Sequence, residues 1–490
     1  MEKEDQALSR GGRYKQHLLD SRLISDTKNA ILTTGKLAKS ERNPLFTEEK
    51  PWEVRLDNID PNIIYDKEDK IFKCWYSSFI VDERTTTTPR YLRNSTNNYW
   101  SVRPNGRETG LCYATSEDGY TWEKPELGLV EFNGSKKNNI LMRDFPIVNG
   151  KKYAYNNDSG NAFKSLIADN GMYCGLIGTG VFKDDHAVSE NQRYKSIFKL
   201  HESICVSFSK DGIHWEEPIP CPEIDATGDN HSNALWVPEM NKYVGIVRVW
   251  DKKRFIRKIG WTCSDDFLHW TKPKPVLEGD SPNRQIYCMP VFRYNNVYIG
   301  LPAVFNNLTD TVHTELAWSP DTIEWHRINP GRPFIPRSSF DADYDWGCVF
   351  AGVAPVLFNN RFFVYYAGGN GPHTGWRDGF LCLADIHPDA IAGYTQKSDK
   401  HRSSVTTKPL PCKGRDMHIW TDVDDDGYLQ IEILGLDGKV LVKSEPVRVC
   451  SSYGDTVKWI GTRDLSGFLG EEICVKFTFS NTTIFTFSFE

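Results

Sequence analysis

Six aspartates stand beside short β-rich runs, and acid–base chemistry would be built from them: Asp57, Asp60, Asp184, Asp185, Asp229 and Asp345. A carboxyl group held protonated beside another that stays ionised donates and accepts protons across one bond. The plainer role for each is a turn former or cap ahead of a strand. His186, His231 and His373 fall near strand ends or in loops, where a ring nitrogen bonds hydroxyls or tunes an acid, or simply satisfies the core. Arg248 and Arg377 have the planar fork that clamps a carboxylate, sulfate or phosphate, against the alternative of solvated surface arginines.

Other chemistries are poorly supplied. Asp422-Val-Asp-Asp-Asp-Gly427 opens like a calcium loop, but its twelfth position is Ile433, where such a loop needs a bidentate Glu. That segment is read as a hairpin turn. There is no Cys-x-x-Cys pair, and Gly175-Leu-Ile-Gly-Thr-Gly180 lacks the Lys and the following helix pattern of a phosphate loop. Neither a metal nor a cofactor is expected.

The 490 residues carry 59 Lys+Arg against 65 Asp+Glu, a net charge of −6. That balance argues against a dedicated nucleic-acid binder. No apolar run approaches the ~20 residues of a membrane span, so no membrane partner is expected. With 13% aromatic residues, including 15 Trp and 21 Tyr, the composition suits packed β-structure and aromatic-lined clefts. Cys74, Cys112, Cys205, Cys263 and Cys382 sit inside apolar, strand-like runs and are read as buried free thiols. Together with a charged N-terminus that lacks a leader's apolar stretch, they point to a cytoplasmic protein, or a secreted one if a leader was removed.

A repeat organises the chain. Ser116-Glu-Asp-Gly-Tyr-Thr-Trp122 returns as Ser209-Lys-Asp-Gly-Ile-His-Trp215, as Ser264-Asp-Asp-Phe-Leu-His-Trp270 and, more loosely, as Ser319-Pro-Asp-Thr-Ile-Glu-Trp325. Each copy follows a short apolar strand and reads as a tight turn leading to an outer strand whose Trp packs back on the sheet. Hairpins precede the copies, as in Asn62–Tyr76, Ala234–Ile246, Met289–Gly300 and Pro355–Tyr366. Hairpin, strand and Trp-bearing edge make a four-stranded unit, and five such units predict a five-bladed β-propeller.

The expected class is all-β, a five-bladed β-propeller followed by a C-terminal β-sandwich. Residues 1–42 read as a polar, partly helical N-terminal extension, 43–395 as the propeller, 396–408 as a linker and 409–490 as the sandwich. The polar stretch 82–108 reads as a long loop bordering a binding site. The largest insertion is assigned to the second blade.

At this point the chain resembles propeller glycosidases of the invertase type (glycoside hydrolase family 32) and, second, of the arabinanase and β-xylosidase type (family 43). The repeated Ser-x-Asp-Gly-x-x-Trp phrase, Asp60-Pro61-Asn62 and the tail Trp459-Ile-Gly-Thr-Arg-Asp-Leu-Ser-Gly-Phe-Leu-Gly470 carry the likeness, over roughly residues 43–490. It implies a pocket at the propeller axis, lined by the starts of the innermost strands, with two carboxylates across a glycosidic bond. Asp60 matches the blade-one aspartate, nucleophile in one type and general base in the other. The third-blade and fourth-blade motifs of the invertase type are missing: Gly228-Asp229-Asn230-His231 and Arg284-Gln285 stand there, and an amide at Gln285 cannot donate a proton. The acid is then sought among Asp229, Asp345, Asp185 and Glu315.

The expected substrate site comprises Asp57, His186, His231, Arg248, Gln285, Trp346, His373 and Arg377, with Trp346 and Trp376 placed to stack on a sugar ring or to pack blades. The expected function is a glycoside hydrolase acting on an oligosaccharide or glycoside. A non-catalytic carbohydrate-binding propeller and an inverting glycoside phosphorylase are the alternatives. The sugar, its linkage and the oligomeric state are not legible in the sequence.

Overall fold

The computed structural model of the chain describes residues 15–93, 99, 107–143, 147–148, 151–152, 174–200, 203–225, 231–251, 253–341, 343–448 and 451–490. Four antiparallel strands make each propeller blade. The first blade runs Asn62–Asp66, Ile71–Asp82, Arg107–Ser116 and Ile140–Met142; the second Cys174–Lys183, Tyr194–Leu200, Ser203–Ser209 and Ile219–Pro220. The third comprises Asn233–Val237, Lys242–Asp251, Ile256–Ser264 and Lys274–Glu278. In the fourth, Val291–Tyr294, Val297–Gly300, Ala317–Ser319 and His326–Arg327 continue toward the axis as Arg284–Cys288, Ala303–Asn306 and Thr311–Thr314. Pro290 and Pro302, which cannot donate to a ladder, lie at two of those breaks.

The fifth blade is completed from elsewhere. Cys348–Ala351 with Val356–Phe358, then Arg361–Gly369 and Gly379–Ile386, form three strands, and Ala38–Lys39 pairs with the last of them as the fourth. The propeller is thus closed by a strand that precedes its first blade. Residues 15–39, expected as a partly helical extension, form four short strands and one turn of 3-10 helix, Ser21–Leu23.

Lys15–His17, Ile24–Lys28 and Ala30–Thr34 join the C-terminal sheet. Ser403–Thr407, inside the expected linker, is also one of its strands. Met417–Leu434 and Glu472–Phe489, each 18 residues long, pair along most of their length and shift register between Trp420 and Thr421 and again between Val423 and Tyr428. Apolar side chains from both halves of these strands, among them Ile419, Ile431, Phe477 and Phe487, meet in one buried cluster, so the sheet folds over itself as a two-layered sandwich.

The repeated phrase works as local turn chemistry. Ser116 and Ser209 Oγ accept from the amides of Gly119 and Gly212 at 2.8 and 2.9 Å, and Asp118 and Asp211 Oδ1 accept the two following amides at 2.7–2.8 Å. The third turn residue is left-handed in all four copies, Gly119, Gly212, Phe267 and Thr322, which is why glycine is usual there. In three copies the Trp indole N–H donates to that residue's carbonyl: Trp215 at 3.0 Å, Trp270 at 3.1 Å and Trp325 at 2.8 Å. Cys74, Cys112, Cys205, Cys263 and Cys382 are buried free thiols.

Around the axis the inner strands are stitched by hydrogen bonds. Asn62 Nδ2 donates to Thr179 O at 2.9 Å, Ser232 N to Gly178 O at 2.8 Å, Asn233 Nδ2 to Val291 O at 3.0 Å, and Val353 N to Pro61 O at 3.2 Å. A Cβ on Gly180 would stand 2.0 Å from Ser232 O, so only glycine permits this approach. The insertion between Met142 and Cys174 precedes the second blade and lies mostly outside the described residues.

Candidate functional site at the propeller axis

The first inner strand begins from a strained turn. Asp60 N donates to Asn58 O at 2.6 Å across Ile59, whose φ is 62°, and Asp60 itself has φ 48°. This is a γ-turn of positive φ, the rarer and strained form, and a β-branched residue there is a genuine outlier. Ser77 N donates to Ile59 O at 2.6 Å and Asn62 Nδ2 to Asp60 O at 2.8 Å, so neighbouring strands over-determine the turn. Asp60 is buried at this end of the strand.

Asp57 lies three residues earlier between two guanidinium groups. Its Oδ1 is 2.9 Å from both Arg55 NH2 and Arg377 NH2. Burial alone would raise this carboxyl's pKa, but Arg377, Arg55 and His373 together hold it at about 2. Asp57 therefore stays ionised and is a counter-ion, unsuited to passing a proton near neutrality. Arg377, pushed upward mainly by Asp57 against the opposing effect of burial, also donates to Asn58 Oδ1 at 3.0 Å and to the carbonyl of His373.

The loop between the second and third strands of the fifth blade carries His373. Its amide donates to Asp310 O at 2.7 Å, and its ring lies 4.9 Å from Tyr287 and 4.6 Å from Phe305. Arg248, buried, places its guanidinium 4.1 Å over the Tyr287 ring and donates Nε to Tyr287 O at 3.0 Å. His231 sits across the axis with Nε2 3.3 Å from Asn62 Oδ1, and burial lowers its pKa to about 3, keeping the ring neutral. Asp57, His373, Arg377 and Arg248 are thus linked through shared neighbours, and Asp60 and His231 through Asn62.

The remaining sequence candidates lie elsewhere or are already engaged. Asp184 and Asp185 follow the second inner strand rather than precede it, because that strand starts at Cys174. Asp184 Oδ2 takes Lys195 Nζ at 2.6 Å and the Tyr243 hydroxyl at 2.7 Å from the next blade, as Asp66 takes Lys73 and Tyr194 at 2.9 Å each. Asp185 is exposed in the hairpin beyond, and His186 stacks on Trp236 there at 5.1 Å. Both are at the opposite end of the strand from Asp60, so neither the acid role of Asp185 nor the ligand role of His186 fits this site.

Asp345, buried, faces its own blade: Lys39 Nζ is 2.5 Å and the Tyr366 hydroxyl 2.9 Å from its Oδ2. These contacts tie it to the closing strand. Glu315 is clamped by Arg327 at 2.7 and 3.1 Å and by His313 at 3.1 Å, which with the Gly331 amide outweigh burial and lower its pKa. Gln285 accepts from Arg257 at 3.1 Å and donates to Pro282 O at 2.9 Å. Trp346 is half-buried, and its carbonyl accepts from Arg337. Asp229 lies outside the described residues.

Sequence reasoning missed Arg55, Tyr99, Arg107 and Tyr287. Tyr99 donates to Asp82 Oδ2 at 2.7 Å and accepts from Arg107, while Arg55 lies 3.7 Å over its ring. The spacing Arg55-Leu56-Asp57 was the available signal, since alternate residues of an extended run share a face.

A five-bladed propeller with a charged, aromatic-lined axial site is the class of protein that fold and site define. No protein-family model and no curated protein matches the sequence. Among solved structures, a glycosyl hydrolase from Bacteroides ovatus is 15% identical, covers 72% of this chain and 94% of its own, and has a TM-score of 0.46. A putative glycosidase from Bacteroides thetaiotaomicron is 16% identical over 72% and 97%, TM-score 0.44. An N-acetylgalactosamine deacetylase from F. plautii, in complex with blood group B trisaccharide, is 12% identical over 73% and 96%, TM-score 0.43. At that distance no residue's role passes from those structures to this chain.

Proposed function

We propose that this chain is a glycoside hydrolase whose reacting centre lies at the axial end of the first inner strand, with Asp60 as nucleophile or general base. The observation that carries this reading is the strained turn. Two consecutive non-glycine residues are held left-handed, and the second is a buried aspartate. Strain of this kind, kept in place by its surroundings, gathers at functional sites. The likeness of Asp60-Pro61-Asn62 to the blade-one motif of the invertase type supports the same role.

Glycoside hydrolysis needs a second carboxyl to protonate the leaving oxygen. Asp57 between its two arginines, and Asp345 and Glu315 in their ion pairs, are less suited to that role. The role falls to Asp229, two residues before His231. Arg248, His373 and Arg377 would then position sugar hydroxyls through a rigid aromatic wall.

Purified protein is screened on aryl glycosides and oligosaccharides beside Asp60→Asn and Asp229→Asn. Sugar release by wild type alone supports both assignments. Equal release by wild type and Asp60→Asn removes Asp60 from the chemistry. A non-catalytic carbohydrate-binding propeller is the second reading, favoured by the engaged amide at Gln285; glycan binding without any release would establish it.

A further inference from the structure

The hairpin of the third blade that carries Arg248 overhangs the axial site. Its strands, Lys242–Asp251 and Ile256–Ser264, pair out to Asp251 and Ile256, whereas the innermost strand of that blade starts at Asn233, opposite Ile246. Trp250 therefore stands about 14 Å beyond Asn233 along the strand. Asp60 precedes Asn62, the matching start in the first blade, by only two residues, so Trp250 lies farther out from the ring of inner-strand starts than Asp60 does.

The two faces of this hairpin differ, because alternate residues share a face. Asp251 and Lys258 occupy one, 3.6 Å apart, and Arg254 at 2.8 Å from Asp251 and Glu278 at 2.8 Å from Lys258 complete a row of ion pairs. Arg248, Trp250 and Arg257 occupy the other, turned toward the fourth blade. Arg257 donates to Gln285 Oε1 at 3.1 Å and lies 4.7 Å from the Trp250 ring and 5.3 Å from those of Tyr287 and Phe305. Tyr287 and Phe305 are buried, whereas Trp250, at the outer end of the row, is only half-buried.

The tip of the hairpin adds a second aromatic. Phe255 is 77% exposed and has φ 54°, an outlier for a bulky side chain. Asp251 Oδ1 accepts the amides of Lys253 and Arg254 at 3.2 and 3.1 Å, so the turn is fixed in a form that asparagine or glycine would suit better. At that exposure the phenyl ring adds little to the core.

We propose that this hairpin binds a second sugar unit of the substrate, with Trp250 as its stacking platform and Phe255 as an outer apolar contact, so that the site takes oligosaccharides in preference to single-sugar glycosides. A half-open indole held by a guanidinium offers a flat apolar surface on which the C–H face of a pyranose packs while its hydroxyls stay in water. The inference rests on the glycosidase reading for the place of the first sugar, but it concerns binding and is tested without turnover.

Isothermal titration calorimetry compares cellotriose, xylotriose and mannotriose with glucose, xylose and mannose on the Asp60→Asn protein. At least one trisaccharide is expected to bind about tenfold more tightly than its monosaccharide. Adding Trp250→Ala should abolish that gain and leave monosaccharide binding unchanged, while Trp250→Phe should keep most of it. Phe255→Asn should raise the melting temperature, because asparagine accepts the left-handed turn, yet weaken trisaccharide binding by about threefold. A merely structural residue would not join higher stability to weaker binding. Equal affinity for trisaccharide and monosaccharide, no binding of any of these sugars, or Trp250→Ala and Trp250→Phe both matching their parent overturns the proposal. So does a dimer in sedimentation that Phe255→Asn dissociates, which would assign the tip to a second copy of the chain. Length-dependent binding through Trp250 with no sugar release by wild type would sink the enzyme reading and leave the platform standing. Release from aryl glycosides without any dependence on chain length would do the reverse.

Discussion

Lys39 Nζ and Asp345 Oδ2 lie 2.5 Å apart, tying the strand that closes the propeller to the segment that opens its last blade. Lys39 is partly exposed, whereas Asp345 is buried and shares its oxygen with the Tyr366 hydroxyl. Removing the lysine leaves a buried carboxylate without its ion-pair partner, so Lys39→Met should lower stability by about 2–4 kcal/mol in urea unfolding. Substrate preference should not move. A stable Asp345→Asn variant with abolished turnover would return Asp345 to the chemistry.

Asp60→Asn separates chemistry from folding. Asparagine is enriched in the left-handed region, so the turn at Ile59–Asp60 should tolerate it, with stability within about 0.5 kcal/mol of wild type. Loss of the carboxylate should reduce turnover by about 10²–10⁴-fold. Steady-state rates and urea midpoints of the same preparation check both halves.

Two buried histidines set an acid limit. Burial lowers His231 to about 3, and burial with Lys15 lowers His17 to about 3. Their folded-state pKa values are below the unfolded 6.5, so the neutral-ring contribution is complete above pH 6.5 and is lost as pH falls from there toward 3. Each should cost about 1.4 kcal/mol per pH unit over that window. Urea midpoints at pH 7.5, 6 and 5 measure the slope; His231→Gln should flatten it by one proton, and an unchanged slope would contradict the assignment.

At Asp57 the sign is the same, but the window lies lower. Its pKa of about 2 lies below the unfolded value, so its contribution is present above about pH 4 and is lost as pH falls through 2. Arg377→Met removes one of its two partners and should cost about 3 kcal/mol at neutral pH, with a shallower further loss in acid. Circular dichroism from pH 5 to 2 distinguishes this from a simple packing defect, which would lower the whole curve evenly.

The legible parts of the sequence were those whose chemistry is local. Ser116 and Asp118 bond amides within their own turn, so the repeat and the blades it marks could be read residue by residue. Asp60 was placed correctly beside its strand because Asp60-Pro61-Asn62 adjoins it. Asp184 and Asp185 were set at the wrong end of theirs because the strand's start at Cys174 is hidden behind an insertion. The ion pair of Asp345 was hidden for a different reason: its partner Lys39 is 306 residues away, and no window along the chain joins them. Nor could the corner of Tyr99 and Trp376 be seen, since it forms only when the last blade meets the first.

That closing strand also dictates an order of synthesis. Ala38–Lys39 leaves the ribosome before any blade but pairs with Asp385 and Ala384, and Lys15–His17 waits longer still for Thr486–Ser488. At ~5–20 residues per second, these edges stay unpaired for roughly 20–90 s while the intervening blades emerge and fold. The nascent chain therefore carries an open sheet edge through most of its production.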